Sequence, residues 1–282
     1  MATAADTAAA AKAADAVAAV ASRDHPACSQ PLAGRVAIVT GASRGIGRAI
    51  ATHLSSLGAS LVLGYASSAS LAEQLAASLL PPNSAIAVKA DVSSEAGVRS
   101  LFDAAESAFG RPAQILVANA GVLDDKYPSL AATATADFDR VFSTNARGAF
   151  LCLREAANRI PPGCGGGGGG RIVAVTSSVV ASLPEGYAAY TASKAAVEAM
   201  VRTMAKELRG TRVTANCVAP GATATDMFFA GKSEETVRRV AEGNPMCRIG
   251  EAGDIAPVVG FLCTDAAEWI NGQVIRANGG YV

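Results

Sequence analysis

Seven short apolar runs, separated by segments of helix length, constrain the fold of this chain more than any other feature. They are rich in β-branched residues and read RVAIVT (35–40), SLVLGY (60–65), AIAVKA (85–90), QILVAN (114–119), RIVAVTS (171–177), RVTANCV (212–218) and QVIRA (273–277). Near-continuous apolar strands that alternate with helices are typical of a parallel sheet buried on both faces. The pattern predicts an α/β fold with a doubly wound, seven-stranded parallel sheet and helices on both faces.

Residues 1–33 differ in composition from the rest of the chain. They are rich in alanine and end in a stretch that contains Pro, Cys and Ser. The segment lacks the leucine-rich core of a secretory signal, and its three aspartates and few arginines are unlike a transit peptide. We therefore expect a flexible tail over 1–33, a single domain over 34–282 and a cytoplasmic protein. Targeting to the chloroplast is the alternative.

Charge and composition argue against several classes of partner. Lys plus Arg and Asp plus Glu are each 24, so the formal net charge is zero and there is no basic field for nucleic acid or an anionic membrane. No apolar run approaches the roughly 18 to 20 residues that a membrane-spanning helix needs. The two histidines and six cysteines are scattered, without the spacing of a metal site. We expect no nucleic-acid partner, no membrane association and no metal.

The segment VTGASRGIGRAI (39–50) has the form of a phosphate-binding turn. It follows the first apolar run and opens a helix near Ile46, whose unpaired N–H groups favour an anion. Gly41 permits a tight turn, Gly45 lets a pyrophosphate approach the backbone, and Gly47 allows the helix to pack closely on the strand. A second glycine run (161–170) precedes a strand instead of a helix, so it is interpreted as a surface linker.

Five motifs in order then carry a resemblance to a known family. TGASRGIG (40–47), NAG (119–121), TNARG (144–148), YTASK (190–194) and PG (220–221) resemble the short-chain dehydrogenase/reductase family, and within it the plant NADPH-dependent aldehyde reductase-like members. The resemblance runs from about Gly34 to the end of the chain. It departs at Ala118, at ANGG near the end, in the glycine linker and in the tail, and none of these touches the groups expected to react.

The resemblance implies a Rossmann-fold, NADP-dependent oxidoreductase that reduces the carbonyl of a small aldehyde or ketone. A 3-oxoacyl-carrier-protein reductase or a secondary-alcohol dehydrogenase is the alternative within enzymes. A dinucleotide-binding regulatory protein without turnover is the alternative from another class. The family likeness also implies a homodimer or homotetramer, formed through the two long helices after strands four and five.

NADPH is favoured because the end of the second strand, LVLGYASSAS, carries no carboxylate to accept from a ribose 2′-hydroxyl. Arg44 supplies a cation for a 2′-phosphate, and Ser67 and Ser68 supply donors. Asp91 resembles the residue that meets the adenine, or is a bare helix N-cap; Asn119 lines the ribose or braces the strand ends. The full expected cofactor set is Gly41, Ser43, Arg44, Gly45, Ile46, Gly47, Tyr65, Ala66, Ser67, Asp91, Val92, Asn119, Ala120, Gly121, Tyr190, Lys194, Pro220, Gly221 and Thr223.

Carbonyl reduction needs a proton donor, and Tyr190 is the candidate. An unperturbed tyrosine titrates near pH 10, and a nearby cation lowers its pKa. Lys194 is four residues on in a helical pattern, so both side chains share one face of the helix. We expect Lys194 to lower the pKa of Tyr190 and to hold the nicotinamide ribose. Tyr187 has uncharged Thr191 in the equivalent place and is interpreted as a core or substrate-lining residue.

Two adjacent serines compete for the role of carbonyl-binding hydroxyl. The family's active serine lies thirteen residues before the tyrosine, which gives Ser177, while a one-residue deletion in the loop would give Ser178. Ser177 is favoured, with a role in holding the carbonyl oxygen and its developing charge. Asn145 matches the family asparagine that anchors a water for proton relay. Its alternative is a helix-interior residue that bonds to backbone.

Residues 220–245 correspond to the mobile substrate flap of the family. Thr223 is expected to touch the nicotinamide carboxamide. Met227, Phe228 and Phe229 form an apolar wall for an uncharged carbonyl compound, or else pack the flap or face another subunit. The flap carries no specific polar signature by which its substrate could be named.

Overall fold

The structure is a computed structural model that describes residues 30–81, 84–163 and 168–282. Most of the predicted tail (residues 1–29) lies outside the described residues, as does the centre of the glycine run (164–167). The described ends of that run connect a helix to the amino end of a strand, Arg171–Val175.

Seven strands form one sheet in which every neighbouring pair is parallel, in the order β3-β2-β1-β4-β5-β6-β7. The prediction of seven parallel strands is confirmed, and each strand overlaps one of the apolar runs, with β6 ending two residues beyond its run. Their bounds are β1 Val36–Thr40, β2 Ser60–Tyr65, β3 Ala85–Lys89, β4 Ile115–Ala118, β5 Arg171–Val175, β6 Thr214–Pro220 and β7 Val274–Ala277. The strand order reverses direction between β1 and β4, which is where such sheets bind ligands.

Helices connect the strands and cover both faces of the sheet. They are α1 Gly45–Ser56, α2 Ala69–Ser78, α3 Glu95–Phe109, α4 Thr135–Phe142, α5 Gly148–Arg159, α6 Val179–Ser182, α7 Ala188–Glu207, α8 Asp226–Phe229, α9 Glu234–Glu242 and α10 Ala252–Cys263. A π-helical segment, Ser143–Arg147, joins α4 to α5. Single π-helical turns of this kind are frequent at functional sites. No described helix is both long enough and apolar enough to cross a membrane.

The core lies in two layers, one on each side of the sheet. Along β1, Val36 and Ile38 belong to one buried cluster, whereas Ala37 and Val39 belong to the other. Successive strand residues point to opposite faces, so an apolar run with no polar gaps supplies both layers at once. Because both faces of the sheet are buried, the strands appear in the sequence as near-continuous apolar runs.

The amino edge of the sheet is held by an ion cluster. The fully buried Arg171 guanidinium lies 2.9 Å from the Asp265 carboxylate, and Arg35 lies 2.5 Å from the same oxygen. Arg171 also donates to the carbonyls of Thr264 and Gly170. These charged groups therefore connect the amino ends of the strands to the loop that contains Thr264 and Asp265. The candidate functional residues lie at the opposite, carboxyl edge.

Candidate active site

The loops that leave the carboxyl ends of the strands bring most of the predicted residues to one edge of the sheet. The glycine turn follows β1, Tyr65 ends β2 and is followed by Ala66 and Ser67, Asp91 and Val92 follow β3, Asn119–Gly121 follow β4, and Ser177 follows β5. Tyr190 and Lys194 reach this edge from α7, and Asn145 reaches it from the π-helical segment.

The glycine turn has the backbone that its three glycines allow. Gly41 and Gly45 have φ values of 63° and 54°, in the left-handed region that favours glycine. A Cβ on Gly47 would lie 2.2 Å from the Gly41 carbonyl oxygen, so only glycine fits there. Arg44, the N-cap residue of α1, makes no side-chain capping bond, and the first turn contains no acidic residue. The open helix N-terminus fits the pyrophosphate of a dinucleotide.

Arg44 lies beside the loop that follows β2. Its guanidinium donates to Ser68 Oγ at 2.5 Å and lies 3.5 Å from the Asp226 carboxylate at the start of α8. Both charged side chains are more than half exposed, so their attraction is weakened by solvent. The cation and the hydroxyl of Ser68 together form a pair of donors suited to a 2′-phosphate.

The two residues with open alternatives, Asp91 and Asn119, have defined roles in the fold. Asp91 Oδ1 accepts from the backbone and side chain of Ser93, and the N-cap of α3 is Ser94, so Asp91 is not the cap. The Asn119 amide donates to the carbonyls of Thr40 and Gly41 at 3.0 and 3.2 Å. Asn119 therefore braces the ends of β1 and β4.

Tyr190 and Lys194 lie together on one face of α7, as their spacing predicts. The Lys194 ammonium is 5.7 Å from the centre of the Tyr190 ring and donates to the Val175 carbonyl at 2.9 Å. The lysine side chain is buried, with an exposed fraction of 4%. Its charge is therefore held at the end of β5 by a backbone acceptor.

The expected lowering of the Tyr190 pKa does not occur among these residues. Burial raises the pKa of Tyr190 to about 12, and the neighbouring Ser177 hydroxyl opposes this rise. Burial lowers the pKa of Lys194 to about 8. The prediction was wrong because loss of solvent dominates, and the group that opposes it is the Ser177 hydroxyl rather than the Lys194 ammonium, which is bonded to the Val175 carbonyl. A phenol with this raised pKa stays protonated at neutral pH.

The two adjacent serines have different surroundings. Ser177 Oγ lies against Tyr190, and its one described backbone contact is a weak one with the Val179 N–H at 3.4 Å. Ser178 Oγ is buried, donates to the Ala219 carbonyl and accepts from the Asn278 amide, both at 3.0 Å. Ser177 thus faces the tyrosine, whereas Ser178 joins strand ends inside the fold.

Asn145 is buried in the π-helical segment, where its amide bonds to both backbone groups of Val122 and to Ser193 Oγ. Asn145 Oδ1 and Lys194 Nζ each lie 3.3 Å from the position of a Cβ on Gly121, so this glycine lets both groups approach one point. A cavity of about 10 Å³, with room for a single water, is lined by Asn145, Lys194 and Val92 among others. The cavity therefore lies beside Lys194 and Asn145, and Tyr190 is not part of its lining.

The flap contacts the mouth of the site through residues that the sequence did not single out. The Lys232 ammonium donates to the Tyr127 hydroxyl, and its distance to the ring centre of Tyr127 is 4.3 Å. Phe228 packs beside it, whereas Met227 and Phe229 are exposed. The structure thus adds a polar group, the Lys232 ammonium, to a flap in which the sequence showed no specific polar signature. A lysine that follows Phe-Phe-Ala-Gly was the available signal, but no pattern in the sequence connects it to Tyr127.

At the base of the flap, Thr223 is buried and its hydroxyl donates to the Gly221 carbonyl at 3.0 Å. Gly221 itself packs closely on Asn278, because a Cβ added to this glycine would lie 2.8 Å from the Asn278 Cβ. Pro220 ends β6 at this point. These three residues fix where the flap leaves the sheet.

Comparisons with known proteins agree with this architecture. A family model described as Enoyl-(Acyl carrier protein) reductase matches residues 41–282. The chain is 56% identical to an NADPH-dependent aldehyde reductase-like protein, chloroplastic, of Arabidopsis thaliana, over 92% of this chain and 99% of that protein. It also resembles two solved structures, a short-chain dehydrogenase from Burkholderia cenocepacia in complex with NADP and a 3-ketoacyl-(acyl-carrier-protein) reductase from Brucella melitensis complexed with NADH.

The Burkholderia structure has a TM-score of 0.80 and 32% identity, and the Brucella structure has 0.79 and 28%; each comparison covers 89% of this chain and 99% of the other. Fold and relatives together define an oxidoreductase with a Rossmann-type parallel sheet. The chain belongs to the short-chain dehydrogenase/reductase family.

Proposed function

We propose that this protein is an NADPH-dependent reductase of aldehydes or ketones. The observation that carries the proposal is the pairing of half-buried Tyr190 with buried Lys194 at the carboxyl edge of the sheet, the edge that also holds the uncapped N-terminus of α1. The Arabidopsis relative is named an NADPH-dependent aldehyde reductase-like protein, which supports this reaction over the reduction of acyl-carrier substrates.

Tyr190 is the proton donor in this proposal. The phenol is protonated at neutral pH and can give its proton to the oxygen of a reduced carbonyl, although burial, which raises its pKa, makes it a weaker acid. The Ser177 hydroxyl, close to the phenol, donates to the carbonyl oxygen and holds the charge that develops there. At the small cavity, the Lys194 ammonium returns a proton to the Tyr190 phenolate and is itself reprotonated from solvent, and the Asn145 amide, which carries no transferable proton, orients the groups on this path.

The residues present fit NADPH, which supplies the hydride when bound. The glycine turn and the N-terminus of α1 hold the pyrophosphate, and Arg44 with Ser68 holds the 2′-phosphate. Lys194 also holds the nicotinamide ribose. One solved relative is complexed with NADP and another with NADH, so the choice rests on Arg44 and on the absence of an acid at the end of β2.

The experiment is a comparison of wild type with Tyr190→Phe. The wild type should oxidise NADPH in the presence of a panel of aldehydes, and Tyr190→Phe should lose this turnover while it still binds NADPH, measured by fluorescence of the dinucleotide. Aldehydes and acyl-carrier thioesters are tested in parallel, because higher efficiency with the thioesters would favour the ketoacyl reductase. Unchanged turnover in Tyr190→Phe would exclude the assigned mechanism.

We further propose a homodimer or homotetramer that assembles through α5 and α7. On α5 the Phe150 ring is 43% exposed, and the Arg154 guanidinium lies over it at 5.4 Å. An exposed aromatic side chain on a long helix is typical of a subunit interface. Light scattering coupled to size exclusion should give a multiple of the 28.2 kDa chain mass. A monomer at micromolar concentration contradicts this.

The location of the protein depends on residues 1–33, of which residues 1–29 lie outside the described part of the structure. The Arabidopsis relative is named as chloroplastic, which supports the chloroplast alternative over the cytoplasm. A fluorescent protein fused after residue 33 should enter chloroplasts in this proposal. Fluorescence confined to the cytoplasm would support the cytoplasmic location expected first from the sequence.

A further inference from the structure

The mouth of the candidate site contains a cation surrounded by aromatic rings. The Lys232 ammonium lies 4.3, 4.8 and 5.7 Å from the ring centres of Tyr127, Phe228 and Tyr187. It donates to the Tyr127 hydroxyl and, at 2.7 Å, to the Phe228 carbonyl. We call Lys232, Tyr127, Tyr187 and Phe228 the aromatic–lysine cluster.

The position of this ammonium is fixed by the backbone around it. Gly231 has a φ of 69°, and a Cβ there would lie 2.0 Å from the Asp125 carbonyl, so the flap packs directly on the loop after β4. The Tyr127 hydroxyl donates to the Ala230 carbonyl at 2.9 Å and locks the same contact. Lys232 is therefore held at the mouth of the site, unlike a surface lysine that samples many conformations.

The cluster adjoins the group that is proposed to transfer the proton. The Tyr187 ring lies 5.7 Å from the Lys232 ammonium and 6.4 Å from the Tyr190 ring, and so it neighbours both. A carbonyl compound whose oxygen reaches Tyr190 would extend along Tyr187 toward Lys232. The far end of a compound placed in this way would lie near the Lys232 ammonium.

The charge of Lys232 is not neutralised by the residues that the structure describes. Its described partners are a hydroxyl, a backbone carbonyl and ring faces, and no carboxylate of the described ranges forms an ion pair with it. An ammonium has three N–H donors, and two are used here. A half-buried ammonium with a spare N–H can donate it to an anion, and such a charge-assisted bond is stronger than a neutral one.

Resting on the proposed reductase function, we propose that Lys232 is a specificity-determining residue that binds the carboxylate of the substrate. The natural substrate class is then an aldehyde or ketone that carries a carboxylate at the end remote from its carbonyl. The rings of Tyr127 and Tyr187 pack on the carbon skeleton between the two groups. The uncharged compound expected from the sequence is replaced by an anionic one.

The test compares two matched aldehydes, 4-formylbenzoate and its methyl ester, with a longer pair, 3-(4-formylphenyl)propanoate and its ester. Wild type should favour the acid of at least one pair by about 10-fold or more in kcat/KM, mainly through KM, and added salt should reduce this preference. Lys232→Met should lower the acid-to-ester ratio by about 10- to 100-fold, and Lys232→Arg should retain most of it. Arg239→Met removes another cation of the flap region and should leave the ratio unchanged.

Each alternative gives a different result. If Lys232 only latches the flap to Tyr127, Lys232→Met will affect acid and ester equally, and the proposal is overturned. It is also overturned if wild type prefers the esters of both pairs. If wild type reduces the esters and Tyr190→Phe does not, the reductase function is supported whatever the acid-to-ester ratio of kcat/KM. If no aldehyde is reduced, calorimetry compares the affinity for 4-(hydroxymethyl)benzoate with that for its methyl ester. Tighter binding of the acid that is lost in Lys232→Met supports the carboxylate site, and equal affinities refute it.

Discussion

Replacing Ser177 and Ser178 one at a time by alanine should separate chemistry from stability at two adjacent residues. Ser177→Ala removes the hydroxyl that faces Tyr190. Loss of one donor to a developing oxyanion costs about 2.7–4 kcal/mol, or about 10²- to 10³-fold in kcat. Within the described fold, the Ser177 hydroxyl accepts one 3.4 Å hydrogen bond from the Val179 N–H. The free energy of unfolding should therefore change by less than about 1 kcal/mol.

Ser178→Ala should have the opposite effect. The buried Ser178 hydroxyl bonds at 3.0 Å to the Ala219 carbonyl and to the Asn278 amide, and its removal leaves a buried backbone acceptor without this donor. The expected loss is about 1–3 kcal/mol of unfolding free energy. For a domain of this size, each kcal/mol lowers Tm by about 2–4 °C.

The assay pairs steady-state NADPH oxidation with urea unfolding of the same preparations. Ser177→Ala should lose kcat at unchanged urea midpoint, and Ser178→Ala should unfold at lower urea while its kcat stays near wild type. A hundredfold loss of kcat in Ser178→Ala with unchanged stability would refute the assignment of the two hydroxyls, because the Ser178 hydroxyl bonds to Ala219 and Asn278 and the hydroxyl beside the phenol is that of Ser177.

Three further outcomes are expected. The rate of carbonyl reduction should decline above about pH 8, because Lys194 loses its charge there while Tyr190 stays protonated. The rate of alcohol oxidation, which needs the phenolate, should rise with pH. Profiles of kcat/KM against pH check both, and a reduction profile that is flat to about pH 10 contradicts the Lys194 role. Arg44→Ala should lower kcat/KM for NADPH by about 10- to 100-fold and change that for NADH far less, which parallel titrations of the two dinucleotides measure; equal losses refute the 2′-phosphate contact. Gly47→Ala, whose Cβ would lie 2.2 Å from the Gly41 carbonyl, should lose about 1–3 kcal/mol of stability together with NADPH affinity, whereas the control Gly253→Ala, with no atom within 4 Å, should lose neither.

The positions of most site residues could be predicted because they are tied to strand ends. Gly41, Gly45 and Gly47 follow β1 directly, so their role depends only on where one strand stops and one helix starts. The spacing of Tyr190 and Lys194 is likewise a property of a single helix. Such local relations are fixed by backbone geometry and survive in any packing of the chain.

The pKa of Tyr190 could not be predicted in the same way. The four-residue spacing places Lys194 beside Tyr190. It does not show how far the phenol is removed from solvent, or that the Lys194 ammonium donates to the Val175 carbonyl. Desolvation depends on every atom that surrounds a group, and those atoms come from separate strands and loops. Its sign therefore required the packed structure.

The aromatic–lysine cluster shows the same limit for specificity. Tyr127 and Lys232 are 105 residues apart, and their contact depends on how the flap folds back on the loop after β4. By itself the sequence determined the parallel sheet, the glycine turn and the Tyr190–Lys194 spacing, since each follows from periodicity or local geometry. Only the tertiary structure decided which serine faces the phenol, how burial shifts the pKa values and which cation lies at the mouth of the site, because these depend on contacts between segments that are far apart in the chain.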